Sequence, residues 1–461
     1  PHLQDMDPIA PPAVTPPAVT PPAVTPPMKP GQKHVIVLGA GFAGLSAAKR
    51  LARHEGLHVT VLDQRNHHLF QPLLYQVAMA TLAPSDVTAP IRWLVRKQRN
   101  TTVLLADVQR IEPERRVVVI DDGREVPYDY LVVATGSRHS YFGHDDWEPM
   151  APGLKSLEDA LEIRRRFLLA FEHAEKSEDP AEQARLLTFV LVGGGPTGVE
   201  LAGILPEIAR KALRQDFRRV DLDRTRVILV EAGPRILPAF PESLAARAHR
   251  DLERLGVEVR TGVAVTRMET GVVWIGEERV EAGTVFWAAG NAASPLARSL
   301  GAPLDRAGRV MVRSDLSVPG RPEVFVVGDL MHLEQDGRPL PGVAQVAIQG
   351  GRIAARNVLA STRGSPRFDF RYFDKGNLAT IGRNKAVADF GRVRFGGFFA
   401  WLLWLFVHIL YLAGFRNRLS VLIQWGYAYF TQQRGVRLIT ETEHGAHPDP
   451  ASARPVIRPG W

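Results

Sequence analysis

The stretch KHVIVLGAGFAGLSAAKRLA, running from Lys33 to Ala52, decides the fold. Val35 to Leu38 is a short apolar run of the kind that forms a strand buried on both faces of a sheet. It passes into Gly39-Ala40-Gly41-Phe42-Ala43-Gly44 and then into a segment with helical apolar spacing. HVTVLD follows and ends in Asp63. Strand, glycine turn, helix, strand and terminal acid together are the full context that a dinucleotide fingerprint requires. The first glycine permits the tight turn, the second lets a pyrophosphate approach the backbone, and the third lets helix pack on strand. The helix N-terminus adds unpaired N–H groups and positive dipole.

The same grammar recurs. TFVLV is a strand, Gly193-Gly194-Gly195-Pro196-Thr197-Gly198 the turn, VELAGILPEIARKAL a helix, and RVILVE a strand ending at Glu231. Here the acid lies well beyond the usual ~20 residues from the turn, and the basic segment before Arg226 reads as an inserted loop. Asp63 and Glu231 are placed to accept hydrogen bonds from adenosine ribose hydroxyls. An acid at the second site would repel a 2′-phosphate, so NADH is expected over NADPH. Three further strand-to-turn elements end in Thr135-Gly136, in Gly290 and in Gly328-Asp329. One such fingerprint is weak evidence; two in full context imply an α/β chain with two Rossmann-like units.

Length and composition set the frame. The 461 residues are too many for a single core, and 45% apolar with 23% charged is ordinary for a globular chain. The net charge of +8 favours an anionic partner, a membrane surface or nucleic acid. Basic segments interleaved with stacking aromatics, which nucleic acid would need, are not evident. Arg164, Arg165 and Arg166 read as a solvated helix face. Cysteine is absent, which excludes disulfides, Cys-ligated clusters and redox dithiols. Electron transfer therefore requires a bound organic cofactor. The pair His67-His68 lacks further ligands at metal spacing and reads as loop packing.

The two ends differ from the middle. PPAVT occurs three times, from Pro11, Pro16 and Pro21, and residues 1–32 are expected to be a disordered, polyproline-like tail. From Phe395 to Phe415 there is no Asp, Glu, Lys or Arg, and Arg416 and Arg418 follow before a second apolar segment. The length meets the usual ~20-residue criterion for a span, but Gly396-Gly397 and Gly414 shorten the helix. An in-plane anchor of two amphipathic helices is the expectation, with a single span as the alternative. Residues 436–461 read as a polar tail. No secretory signal is visible, so the cytoplasmic face of the inner membrane is the expected location.

The chain resembles the two-dinucleotide-binding-domain flavoproteins of glutathione-reductase type. That resemblance implies an FAD-binding domain at 33–150, an inserted NADH-binding domain at 151–289, and the second part of the FAD domain at 290–394, before anchoring helices at 395–435. A narrower resemblance, to type II NADH:quinone oxidoreductases, rests on NHHLFQPLLYQVA (66–78), GGGPTGVELAG (193–203), PGVAQVAIQGG (341–351) and the C-terminus. It covers 33 to about 435. The implied FAD contacts are Gly39, Gly41, Phe42, Ala43, Gly44, Asp63, Thr135, Gly136, Asp329, Ala344 and Gln345. The implied NADH contacts are Gly193, Gly195, Thr197, Gly198, Glu200, Glu231 and Gly290. Gln345 and Gln349 would lie beside the flavin where quinone docks, as neutral donors and acceptors. Glu200 either complements the helix dipole or lies between nicotinamide and flavin. Lys385 either protonates reduced quinone or serves the surface. The resemblance implies hydride transfer from NADH to FAD and two electrons to quinone, without proton pumping or metal. Two rivals are a reductase of a soluble iron–sulfur acceptor and a nucleic-acid-binding signalling flavoprotein; a homodimer is also open.

Overall fold

The computed structural model describes residues 28–431 and 436–439. Most of the expected Pro-rich tail and the end of the polar C-terminal tail lie outside the described residues.

Two parallel sheets are built in the same order. The first runs Thr101–Leu105, Leu57–Asp63, Lys33–Leu38, Tyr130–Val133, Arg321–Val326, with Ser317–Val318 added antiparallel at its edge. The second runs Val257–Thr261, Arg226–Glu231, Thr188–Val192, Thr284–Trp287. In each, the first strand of the unit sits centrally with its glycine turn at the C-terminal edge, where the strand order reverses and α/β sheets bind ligands. Both central strands are buried along almost their whole length, which is why they read as continuous apolar runs rather than alternating ones.

Val324–Val326 pairs in parallel with Leu131–Val133, so the first sheet is completed by a strand from late in the chain. Helix Ala344–Thr362 then packs on helix Phe42–Leu51. Their backbones meet at Gly351, where a side chain would collide with the Ala43 carbonyl.

Residues 375–394, grouped above with the second half of the first unit, pack elsewhere. Asn377–Thr380, Ala386–Asp389 and Arg394–Gly396 form a three-stranded antiparallel sheet. It covers helices Pro196–Glu207 and Glu242–Glu253 of the inserted unit. A side chain at Gly203 would reach to 2.6 Å of the Gly382 nitrogen, so glycine permits this close docking. The apolar residues Ala379, Ile381 and Ala386–Ala388 are buried in the inserted unit's core, and that burial outweighs sequence proximity to the first sheet.

Phe395 and Gly396 close this sheet, so the first apolar helix begins only at Phe398 and ends at Tyr411. A second follows, Phe415–Thr431. No described helix is long and apolar enough to cross a membrane.

Candidate nucleotide and redox sites

At the first turn, Gly39 has φ 87°, and a side chain there would come within 2.5 Å of the Ala134 carbonyl. A Cβ at Gly44 would strike the Gly39 carbonyl, while Gly41, which caps helix Phe42–Leu51, faces open space. Asp63 Oδ2 accepts from the Ala40 N–H at 2.6 Å, and Oδ1 from the Arg65 N–H at 2.7 Å. The carboxylate thus holds the turn closed as well as standing at its mouth. Burial pushes this carboxyl above the ordinary aspartate range, against the two N–H groups.

The turn opens on a cleft of about 690 Å³. Gly39, Gly41, Phe42, Ala43, Asp63, Thr135, Gly136 and Asp329 line it, whereas Gly44, Ala344 and Gln345 do not. Thr135 Oγ1 is buried there without a hydrogen-bond partner among the described residues. A buried hydroxyl left unpaired is costly, and a polar ligand in the cleft would satisfy it. Open space at Gly41, an orphan hydroxyl and a helix N-terminus without a side-chain cap fit a phosphate-bearing ligand such as FAD.

The second turn repeats the geometry. Gly193 has φ 111°, a side chain at Gly198 would strike the Gly193 carbonyl, and Gly195 faces open space. Glu231 Oε2 accepts from the Gly194 N–H and Oε1 from the Gly233 N–H, both at 2.6 Å. The extra residues before Glu231 form a π-helical turn at Ile208–Ala212 and a short turn at Leu222–Arg224. They leave the sheet unchanged. Thr197 is half-buried beside exposed Pro196. Gly290, with φ 72°, lies under Phe142 and the Ser140 carbonyl.

Glu200 stands in the first half of helix Pro196–Glu207. It is buried against the backbone of Thr380 and the indole of Trp404, and burial pushes its carboxyl up to about 8. The two glutamines are not free. Gln345 Nε2 donates to the Gly376 carbonyl at 2.9 Å and its Oε1 accepts from the Lys375 N–H at 3.1 Å. Gln349 bonds both backbone groups of Phe373, at 2.9 and 3.0 Å. Each amide therefore pins segment 373–376 and keeps one N–H and one lone pair over.

Lys385 pairs with the buried Asp251 at 3.3 Å, clamping the antiparallel sheet to helix Glu242–Glu253. His68 Nδ1 lies 2.8 Å from the Ala40 carbonyl and its ring meets Phe42 edge-on; His67 faces the cleft. The arginine triplet is not a solvated face. Arg164 is buried, and Arg165 and Arg166 both bond Glu162.

Against known proteins, residues 33–351 match the pyridine nucleotide-disulphide oxidoreductase family and 375–433 the NDH2 C-terminal domain. The chain is 44% identical over 431 residues to the type II NADH:quinone oxidoreductase Ndh of Mycobacterium tuberculosis, covering 90% of this chain and 92% of that one. The chain belongs to the type II NADH:quinone oxidoreductases. It is also 32% identical to the internal alternative NAD(P)H-ubiquinone oxidoreductase A1 of Arabidopsis thaliana, over 86% of this chain and 84% of that one. Plasmodium falciparum NDH2, solved in complex with NADH, shares the fold, with TM-score 0.80 at 20% identity over 88% of this chain and 99% of that one. Without cysteine, this type II enzyme has no redox disulphide of the kind the wider family's description names.

One group in the cleft escaped the sequence reading. Lys155 Nζ donates to Ser137 Oγ at 2.9 Å, and Ser137 Oγ donates to Asp329 Oδ2 at 3.0 Å. No motif flags a lone lysine between loops; only the fold brings these three segments together.

Proposed function

We propose that this type II enzyme takes hydride from NADH at the second turn and passes two electrons to a membrane quinone through FAD held at the first. FAD supplies the two-electron exchange between a hydride donor and a quinone. Everything else is positioning and electrostatics from the chain. The observation that carries the reading is the duplicated turn, each copy closed by a carboxylate gripping two backbone N–H groups.

In the first unit, Gly39, Gly41, Phe42, Ala43 and Gly44 present the helix N-terminus to the FAD pyrophosphate, with Asp63 at the adenosine end. Thr135, Gly136 and Asp329 wall the other side. Ala344 and Gln345 begin helix Ala344–Thr362, whose positive end favours negative charge on the cofactor. In the second unit, Gly193, Gly195, Thr197, Gly198, Glu231 and Gly290 receive NADH. Glu231 disfavours a 2′-phosphate, and the nearby Arg235 is spent on the carbonyls of Phe240 and Pro238.

The remaining donor and acceptor of Gln345 and of Gln349 suit a quinone carbonyl. A line of rings leads from the first turn to the buried Trp404: Phe42 to Phe70 at 5.9 Å, Phe70 to His408 at 6.3 Å, His408 to Trp404 at 4.0 Å. Burial lowers His408 to about 4, so it is neutral there. Glu200 borders this line at Trp404 and holds a proton at neutral pH.

Helices Phe398–Tyr411 and Phe415–Thr431 bind the membrane in plane. Phe399, Phe406, Phe415, Ile423 and Phe430 are exposed on their outer faces, an apolar surface unlike that of an ordinary soluble chain. Helix Phe398–Tyr411 has 14 residues, about 21 Å at ~1.5 Å per residue, short of a ~30 Å core. The excess positive charge suits an anionic leaflet on the cytoplasmic face of the inner membrane.

The test is direct. Purified from membranes, the yellow protein should bleach with NADH and recover faster when a short-chain quinone is added. A colourless protein, or one that NADH leaves yellow, overturns the reading; recovery unchanged by quinone overturns its second half.

A further inference from the structure

The walls of the first cleft carry four carboxylates, Asp63, Asp107, Asp159 and Asp329. A dinucleotide brings a diphosphate to the same space. The turn's N–H groups and helix dipole supply only partial positive charge. Of the cations near the mouth, Arg65 is drawn out to Glu158 at 3.0 Å and Arg138 is exposed. Lys155 differs. It lines the cleft, and its ammonium has one hydrogen bond among the described residues, to Ser137 Oγ at 2.9 Å. An ammonium has three donors, so two are left to face the cleft.

The surroundings hold this lysine in place. Ser137 Oγ passes its own hydrogen to Asp329. The Lys155 N–H donates to Asp159 Oδ2, which also meets His139 Nε2 at 3.0 Å and the Ser156 N–H at 2.9 Å. Gly153, two residues earlier, lies flat on the His139 ring with no room for a Cβ. Burial lowers the lysine's affinity for its proton, while Asp329 and Asp159 oppose this. A desolvated cation so braced is stabilised further by a charged partner.

We infer that Lys155 is an additional anchor for the bound flavin dinucleotide, its ammonium pairing with an anionic oxygen of that ligand. It reaches the first unit's cleft from the segment that opens the inserted unit. The inference rests on FAD occupying the first cleft, as proposed above. It assigns a positioning role, not a catalytic one.

The experiment measures FAD binding to deflavinated protein by flavin fluorescence quenching, for the parent, Lys155→Met and Lys155→Arg, at low and high salt. The melting temperature of each apoprotein is recorded alongside. Lys155→Met should raise the FAD Kd by about tenfold or more, Lys155→Arg should recover most of the loss, and the parent's salt dependence should weaken in Lys155→Met. An unchanged Kd in Lys155→Met overturns the inference. So does a loss that Lys155→Arg shares and that tracks a lowered apoprotein melting temperature, since that marks packing alone. If the parent itself binds no FAD, the functional reading fails instead.

Discussion

The two glycine turns are near copies, yet their surroundings differ. Around the first, residues from 134–139, 155–159, 294–299 and 328–329 wall the cleft, and burial raises the pKa of the acid at its mouth. The turns themselves are equally exposed: Gly41 and Pro196 are exposed, and Phe42, Asp63, Thr197 and Glu231 are half-buried, so the difference lies in the later segments that wall the first cleft. One chemistry of recognition therefore serves two lifetimes. In the reading proposed above, the walled site holds the nucleotide that stays through many turnovers, and the second turn the one that leaves after each.

The sharpest way to break this comparison is to block both turns alike. Valine at Gly44 or at Gly198 would press against the carbonyl of the first glycine in its turn. Gly44→Val should purify without flavin, read as a 450 nm to 280 nm absorbance ratio near zero. Gly198→Val should stay yellow while its bleaching by NADH slows by about 100-fold, the cost of displacing a reacting group by ~1 Å. If Gly198→Val also lost its colour, the two sites would not be independent.

Next in size is the acid of the second site. Hydrogen bonds to charged groups contribute about 1.5–3 kcal/mol, so Glu231→Ala should lower kcat/KM for NADH by about 10- to 150-fold. Loss of its grip on Gly194 and Gly233 and loss of the ribose contact both act in this direction. NADPH should lose less, and a parent-like NADH to NADPH ratio in the variant would refute the role given to this carboxylate.

A smaller effect separates both turns from the apolar helices. Phe399→Asp or Phe406→Asp removes one exposed ring from the outer face, worth about 1.5–3 kcal/mol if that ring is buried in lipid. Sedimentation with anionic vesicles should weaken by about tenfold or more, while NADH oxidation with a water-soluble quinone is unchanged. Equal vesicle binding by parent and variants would remove these helices from the membrane.

What could be read from the sequence follows this division. The turns were legible because each depends on local chemistry: a strand, three glycines at fixed offsets, and an acid one strand later. The length before Glu231 did not mislead, because a loop between helix and strand leaves the register of Arg226–Glu231 on Thr188–Val192 intact. The polar groups of helix Ala344–Thr362 were less legible. Gln345 and Gln349 look free in sequence but are bonded to backbone at 373–376, a segment that only the fold returns to them. The same holds for Lys155, and for the sheet from Asn377 to Gly396, whose short apolar runs do not say which unit they will cover.

Glu200 tests the boundary between the two kinds of feature, and its expected effect is the smallest. It begins from the second turn's helix but ends buried under the C-terminal sheet beside Trp404. In the unfolded chain its carboxyl titrates near 4.5, and in the fold at about 8. The folded state therefore holds the proton more tightly. The stability this contributes is fully present below about 4.5 and is lost as pH rises through about 8. Between about pH 7 and pH 9 the parent should lose on the order of 1 kcal/mol from this group, a fall of about 1 °C in melting temperature for a chain of 461 residues. Glu200→Gln carries no such proton, so its curve over that range should be flatter by that amount. If both curves fall together, the carboxyl is already ionised at neutral pH, and the proton assigned to the Trp404 end of the ring line is not there.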